Sequence, residues 1–131
     1  MKIFGIGTDI INIKRIEKMI KKKNTKFISR IFTKIEIKYC ERKKNSSSYY
    51  AKRFAAKEAF SKALGTGISN DISFQNIEIS NDKFGKPSIN IKGKTLNFLK
   101  KKIKSNNFNI YLSLSDDNPW AAATVIIEHS K

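Results

Sequence analysis

Arg53-Phe54-Ala55-Ala56-Lys57-Glu58-Ala59-Phe60-Ser61-Lys62-Ala63-Leu64-Gly65-Thr66-Gly67-Ile68 carries the strongest helical signal of the chain. The helix is expected from Tyr50 to Leu64, ending at Gly65-Thr66-Gly67, where glycine adopts the left-handed conformation that closes a helix. At about 100° per residue, Ala56, Ala59, Phe60 and Ala63 gather on one side, with Lys57, Glu58, Ser61 and Lys62 on the other. The alanines predict close packing and the polar edge is expected to stay open to ligands.

On its N-terminal side, Lys2-Ile3-Phe4-Gly5-Ile6-Gly7-Thr8-Asp9-Ile10 reads as a short apolar strand that ends at the glycines and the carboxylate. Asn12 caps a helix whose Ile13, Ile16 and Ile20 form one stripe, the rest of its surface being Lys14, Arg15, Lys18, Lys21 and Lys22. Thr33-Lys34-Ile35-Glu36 has capping-box spacing and opens a helix toward Arg42. Lys43-Lys44-Asn45-Ser46-Ser47-Ser48 reads as a solvated loop. On the C-terminal side, Ser73 to Ile79 and Ser88 to Lys92 read as a hairpin about the turn Asn81 to Pro87. Leu96, Leu99 and Ile103 mark a helix. Phe108, Ile110, Leu112 and Leu114 alternate as a half-buried strand, and Ala121 to Glu128 forms the last one. The sum is an α+β domain with a mainly antiparallel sheet against the alanine-rich helix.

The chain has 131 residues, and 27 Lys+Arg against 11 Asp+Glu leave a formal charge of +16. That length suits one domain, 1–131, and 40% hydrophobic residues supply its core. So large a charge predicts an anionic partner: nucleic acid, a phosphate ligand or an acidic protein. Lysine enrichment in an Ile- and Asn-rich chain is the competing explanation, as an AT-rich genome produces it. The lone Cys40 excludes an intramolecular disulfide and a multi-cysteine zinc site. No run is long and apolar enough for a membrane span, and Gly5 and Asp9 interrupt any signal-peptide core. A cytoplasmic protein is expected, with no membrane partner.

Several devices are excluded by the residues present. Gly5-Ile6-Gly7 is half a dinucleotide fingerprint, but Ile10 stands where its third glycine is required, and no Walker loop occurs. His129 is a poor triad or zinc candidate, and no nucleic-acid recognition motif is present. What remains is a set of carboxylates among lysines and glycines. Glu58 and Lys62, four apart on one helix, read by spacing alone as a surface salt bridge, and Asp9 reads as a turn residue.

The wording of three segments goes further. Gly5-Ile6-Gly7-Thr8-Asp9-Ile10, the central Arg53 to Ile68 block and Gly85-Lys86-Pro87, followed by Ser113-Leu114-Ser115-Asp116 and Ala121-Ala122-Ala123-Thr124-Val125, resemble the holo-acyl-carrier-protein synthases over almost the whole chain. The resemblance implies the 4'-phosphopantetheinyl transferase fold. It also implies transfer of the 4'-phosphopantetheine arm of coenzyme A to a serine of an apo acyl carrier protein, with Mg²⁺, in fatty acid biosynthesis. By the same resemblance Asp9 and Glu58 hold the metal, and Glu58 or Lys62 is the catalytic base. Arg53, Ser61, Lys62, Gly65, Gly85, Lys86 and Pro87 bind coenzyme A, with Arg53 and Lys86 as candidate clamps for its 3'-phosphate. Arg15, Lys18, Met19 and Lys22 dock the acidic carrier protein, and the assembly is a homotrimer with active sites between subunits. Asp116 stands where some members carry histidine, and it holds a water, holds a phosphate-facing lysine, or has no catalytic part.

Overall fold

The computed structural model describes residues 1–22 and 25–130. A three-stranded antiparallel sheet, in the order β1-β5-β4, is built from β1 (Lys2–Asn12), β4 (Phe108–Asp117) and β5 (Trp120–His129). The helix α4 (Ser46–Leu64) lies across one of its faces. On the other side of α4 pack α1 (Ile13–Lys21), α2 (Thr25–Ile31), α3 (Lys34–Glu41) and the hairpin of β2 (Ile77–Asn81) and β3 (Pro87–Ile91). A 3₁₀ turn at Phe74–Asn76 leads into the hairpin, and α5 (Gly93–Ile103) follows it. Among the described residues no helix is long and apolar enough to cross a membrane.

Local chemistry accounts for several boundaries. Asn12 caps α1 by accepting from the Lys14 amide at 2.9 Å. Thr33 and Glu36 complete the expected capping box: Thr33 Oγ1 accepts from the Glu36 amide, and Glu36 Oε1 accepts from the Thr33 amide. Gly65 ends α4 at φ +89°, where a Cβ would be strained.

Three expectations are corrected. β1 runs through Gly5 and Gly7 and on to Asn12 instead of ending there. These glycines are contact residues: a Cβ on Gly5 or Gly7 would fall on the carbonyl oxygen of Ala63 or Ala59, so the strand backbone lies directly on α4. Ser46 to Ser48, read as loop, form the first turn of α4, with Ser47 and Ser48 buried beneath the sheet end. Lys57 and Ser61, expected on an open polar edge, are fully buried because α4 is covered on nearly all sides.

Burying Lys57 requires a full set of partners. Its ammonium donates to Glu36 Oε1 at 2.7 Å and to the carbonyls of Ile31 and Phe74, both at 2.8 Å. The second oxygen of Glu36 accepts from the Ile79 amide. One ion pair therefore joins α2, α3, α4, the 3₁₀ turn and β2.

Candidate active site

The glycine contact between β1 and α4 brings the two candidate carboxylates together. Asp9, on the sheet face turned toward α4, accepts from Lys62 Nζ at 2.9 Å, and Lys62 also donates to the Thr8 carbonyl at 3.1 Å. Lys62 thus pairs across elements and not with Glu58, its neighbour one turn earlier. Glu58 is half-buried, and among the described residues its carboxylate makes no hydrogen bond or ion pair.

The Glu58 carboxyl is held above its ordinary value of 4.5, first by burial and then by the negative charge of Asp9, with Lys62 opposing. Its folded-state pKa therefore exceeds the unfolded one. Protonated Glu58 favours the folded state at low pH, and that contribution is lost as pH rises through the folded pKa. Replacing Asp9 by Asn should lower the Glu58 midpoint in metal-free protein, read by carboxyl ¹³C NMR. A midpoint that stays put or rises would show that the two side chains do not share a field.

This pair fits a hard divalent cation. Both donors are carboxylates, each carries charge the other resists, and the remaining coordination is open to water and substrate oxygens, the mode Mg²⁺ favours. Among the described residues no group of three or more His, Cys, Asp or Glu gathers as an all-protein metal cage.

The residues expected to hold coenzyme A are partly assembled. Arg53, Gly85 and Pro87 line one cavity of about 340 Å³ with Tyr39, Lys43, Tyr49, Lys52, Asn81 and Leu114. Arg53 is almost fully buried. Its guanidinium lies 4.2 Å from the Tyr39 ring centre and donates to Asn81, while its Nε has no partner among the described residues. Lys86 is exposed beside this cavity without lining it. Ser61 is not brought to it: its hydroxyl is buried and donates to the Glu58 carbonyl at 2.7 Å. Gly65 caps α4 one turn beyond Ser61, near Lys62.

Tyr39, Lys43, Tyr49 and Lys52 were not singled out from the sequence. Aromatic and basic residues at irregular spacing across the end of α3, a turn and the start of α4 leave no periodic signal. The docking set does converge, since Arg15, Lys18, Met19 and Lys22 line a second cavity of about 340 Å³ with Ile11, Ile16, Phe27 and Phe54.

This α+β architecture sets a carboxylate pair and a lysine on one side of the central helix and a basic aromatic cavity on another. The sequence profile of the 4'-phosphopantetheinyl transferase superfamily matches residues 5–125, and the chain belongs to that superfamily. It is 51% identical over 129 residues, 96% of each chain, to the holo-(acyl-carrier-protein) synthase of Zymomonas mobilis. The crystal structure of the Neisseria meningitidis holo-(acyl-carrier-protein) synthase superposes with a TM-score of 0.84 at 40% identity, covering 96% of this chain and 98% of that one. The Bacillus anthracis synthase, in a structure described as a complex with CoA (3',5'-ADP), gives 0.81 at 39% identity, covering 99% and 100%.

Proposed function

We propose that this chain, as one domain over residues 1–131, transfers the 4'-phosphopantetheine group of coenzyme A to a serine of an apo acyl carrier protein and releases adenosine 3',5'-bisphosphate. The observation that carries the reading is the placement of Asp9 and Glu58 beside Lys62 by the glycine contact of β1 on α4.

Asp9 and Glu58 would hold Mg²⁺, which when bound would supply positive charge to neutralise the diphosphate. The serine oxygen bonds to the β-phosphorus as the bond from that phosphorus to the bridging oxygen breaks. Glu58, whose carboxylate has no protein partner among the described residues and keeps one oxygen beyond a metal contact, accepts the serine proton directly or through a water. Lys62 gives two of its three protons to Asp9 and the Thr8 carbonyl, which keeps it charged, and its third would stabilise phosphoryl charge. Arg53, Gly85 and Pro87 receive the nucleotide end, and Lys86 adds positive charge at the rim.

The partners follow from the surfaces. Arg15, Lys18 and Lys22 around Met19 suit an acidic helix of the carrier protein. The sheet face away from α4 exposes large apolar side chains: Ile3, Ile6 and Ile10 of β1 are each more than 60% exposed, with Tyr111 and Trp120 also open. Covering that face supports the homotrimer. Light scattering should give about three times the 15.0 kDa chain mass. Ile6→Lys should reduce it toward one chain, and a wild-type monomer with full activity would remove the shared-site arrangement. A cytoplasmic setting agrees with the single unpaired cysteine, and a place in fatty acid biosynthesis follows from the acyl carrier protein as acceptor.

The testing experiment is to mix the protein with coenzyme A, Mg²⁺ and apo carrier protein and weigh the carrier. A gain of one phosphopantetheine arm, abolished by EDTA, is expected; an unchanged carrier mass would sink the reading.

A further inference from the structure

Arg15, Lys18, Met19 and Lys22 stand at positions i, i+3, i+4 and i+7 along α1 and its C-cap, so they form one stripe. Arg15, Lys18 and Lys22 are exposed and Met19 is half-buried among them. A second stripe of this design runs along α5. Lys94, Asn97, Phe98 and Lys101 repeat the spacing, with Lys94, Asn97 and Lys101 exposed and Phe98 half-buried. Lys102, eight positions after Lys94, flanks the stripe. The two helices are held differently: α1 packs on β1, α2 and α4, whereas α5 packs on the 3₁₀ turn.

No carboxylate of the fold neutralises the α5 stripe. Residues 93–107 contain no Asp or Glu, and among the described residues Lys94, Lys101 and Lys102 form no ion pair. Helix stability accounts for only part of this charge. Lys101 and Lys102 lie in the last turn of α5, where cations complement the carbonyl end of the helix dipole. Lys94 lies in the first turn, where that dipole opposes it and no acidic residue offsets it. By contrast, α3 sets Lys34, Ile37 and Lys38 on one stripe and completes it with Glu41. A phenyl ring between cations suits a helix that offers acidic and apolar side chains together; a phosphate backbone offers charge alone.

We propose that the α5 stripe is a second docking face for the acidic acyl carrier protein, separate from α1. The inference rests on the carrier-directed transfer proposed above. The carboxylates that would hold the metal lie on β1 and α4, and α5 has none, so a carrier held on α5 is captured there and modified only after it moves to α1. Exposed charges act over about a Debye length, so capture is strongest at low ionic strength.

The test titrates apo carrier protein into the enzyme without coenzyme A, at low ionic strength, and reads carriers bound per chain by sedimentation equilibrium. Wild type should bind about two, and Lys94→Glu/Lys101→Glu and Arg15→Glu/Lys22→Glu about one each, since a reversed charge repels an acidic partner. Lys34→Glu/Lys38→Glu, which changes net charge equally, should still bind about two. When coenzyme A and Mg²⁺ are added, the α5 variant should keep the wild-type kcat, which also shows that α5 remains folded, while the α1 variant should lose modification. One carrier per wild-type chain would overturn the inference, as would an α5 variant that still binds two. An equal loss in Lys34→Glu/Lys38→Glu would overturn it by tracing the binding to net charge, and a fall in kcat of the α5 variant would overturn the separation from α1. Weaker binding of an oligonucleotide by the α5 variant, with carrier binding unchanged, would assign the face to nucleic acid instead. A wild type that modifies the carrier while binding only one sinks this inference alone. One that neither binds nor modifies it sinks the transfer reading as well.

Discussion

Glu58→Gln and Asp9→Asn should each lower kcat/KM for carrier modification roughly 100- to 1,000-fold, the range seen when one preorganised electrostatic group is removed from a phosphoryl or acyl transfer site. Both replacements keep shape and remove charge, so the loss reports chemistry. Glu58→Gln carries a second expectation. Its carboxylate is partly desolvated, repelled by Asp9 and without an ion pair among the described residues, so the wild-type charge works against folding. The variant should unfold at the same or a higher temperature than the wild type while being nearly inactive. Asp9→Asn releases Lys62 as well and should lose any stabilising share of that pair, which is small because Lys62 is half exposed. A mass-spectrometric time course and a thermal melt on the same samples check both statements. Wild-type turnover in either variant would remove that residue from the reaction.

The opposite signature is expected at Lys57, one residue before Glu58. Lys57→Met strands the Glu36 carboxylate in a site with no solvent exposure and leaves the Ile31 and Phe74 carbonyls without their donor. Removing one member of a buried pair costs about 3–5 kcal/mol, a large part of the roughly 5–15 kcal/mol that holds a domain of this size. Urea unfolding should show the midpoint falling accordingly. Adding Glu36→Gln should recover part of the loss, because the remaining polar groups are then uncharged and Gln still offers an oxygen to the Thr33 amide. A single variant within about 1 kcal/mol of the wild type would mean that the pair contributes little to the fold. Two neighbouring charged residues on one helix thus separate by their effects, one on turnover and one on stability.

The helical signal from Tyr50 to Leu64, the capping box at Thr33 and Glu36, the Asn12 cap, the hairpin about Gly85 and the alternation of β4 were all legible because each depends on residues within a turn or two of one another. Helix α2 was not, since its seven residues carry too short a pattern. The serines at the start of α4 misled for a related reason. Serine favours loops by its local hydrogen bonding, and here tertiary burial, with Ser48 donating to Asp116, overrides that preference. At Gly5 and Gly7 the residue type was noticed and its purpose was not. A glycine that ends a strand and one that admits a helix backbone look the same in one dimension.

The site shows the same division. The motif wording identified Asp9, Glu58 and Lys62 together, but spacing had paired Lys62 with Glu58, and the folded chain pairs it with Asp9, 53 positions away. The cavity residues Tyr39, Lys43, Tyr49 and Lys52 became visible only once α3, α4 and the hairpin were packed.

From its order of residues alone, this chain determined where its helices begin and end, which strands alternate, and that it resembles a transferase family, because caps, periodicity and motif wording are short-range properties. What three equally spaced lysines do was decided only in three dimensions. Lys52, Lys57 and Lys62 share one helix, yet one borders the cavity lined by Arg53, one is buried in the core and one meets Asp9. Their fates differ because a rotation of about 140° sends each toward a different neighbour, and those neighbours, Asp116, Glu36 and Asp9, lie on distant segments that only folding brings to α4.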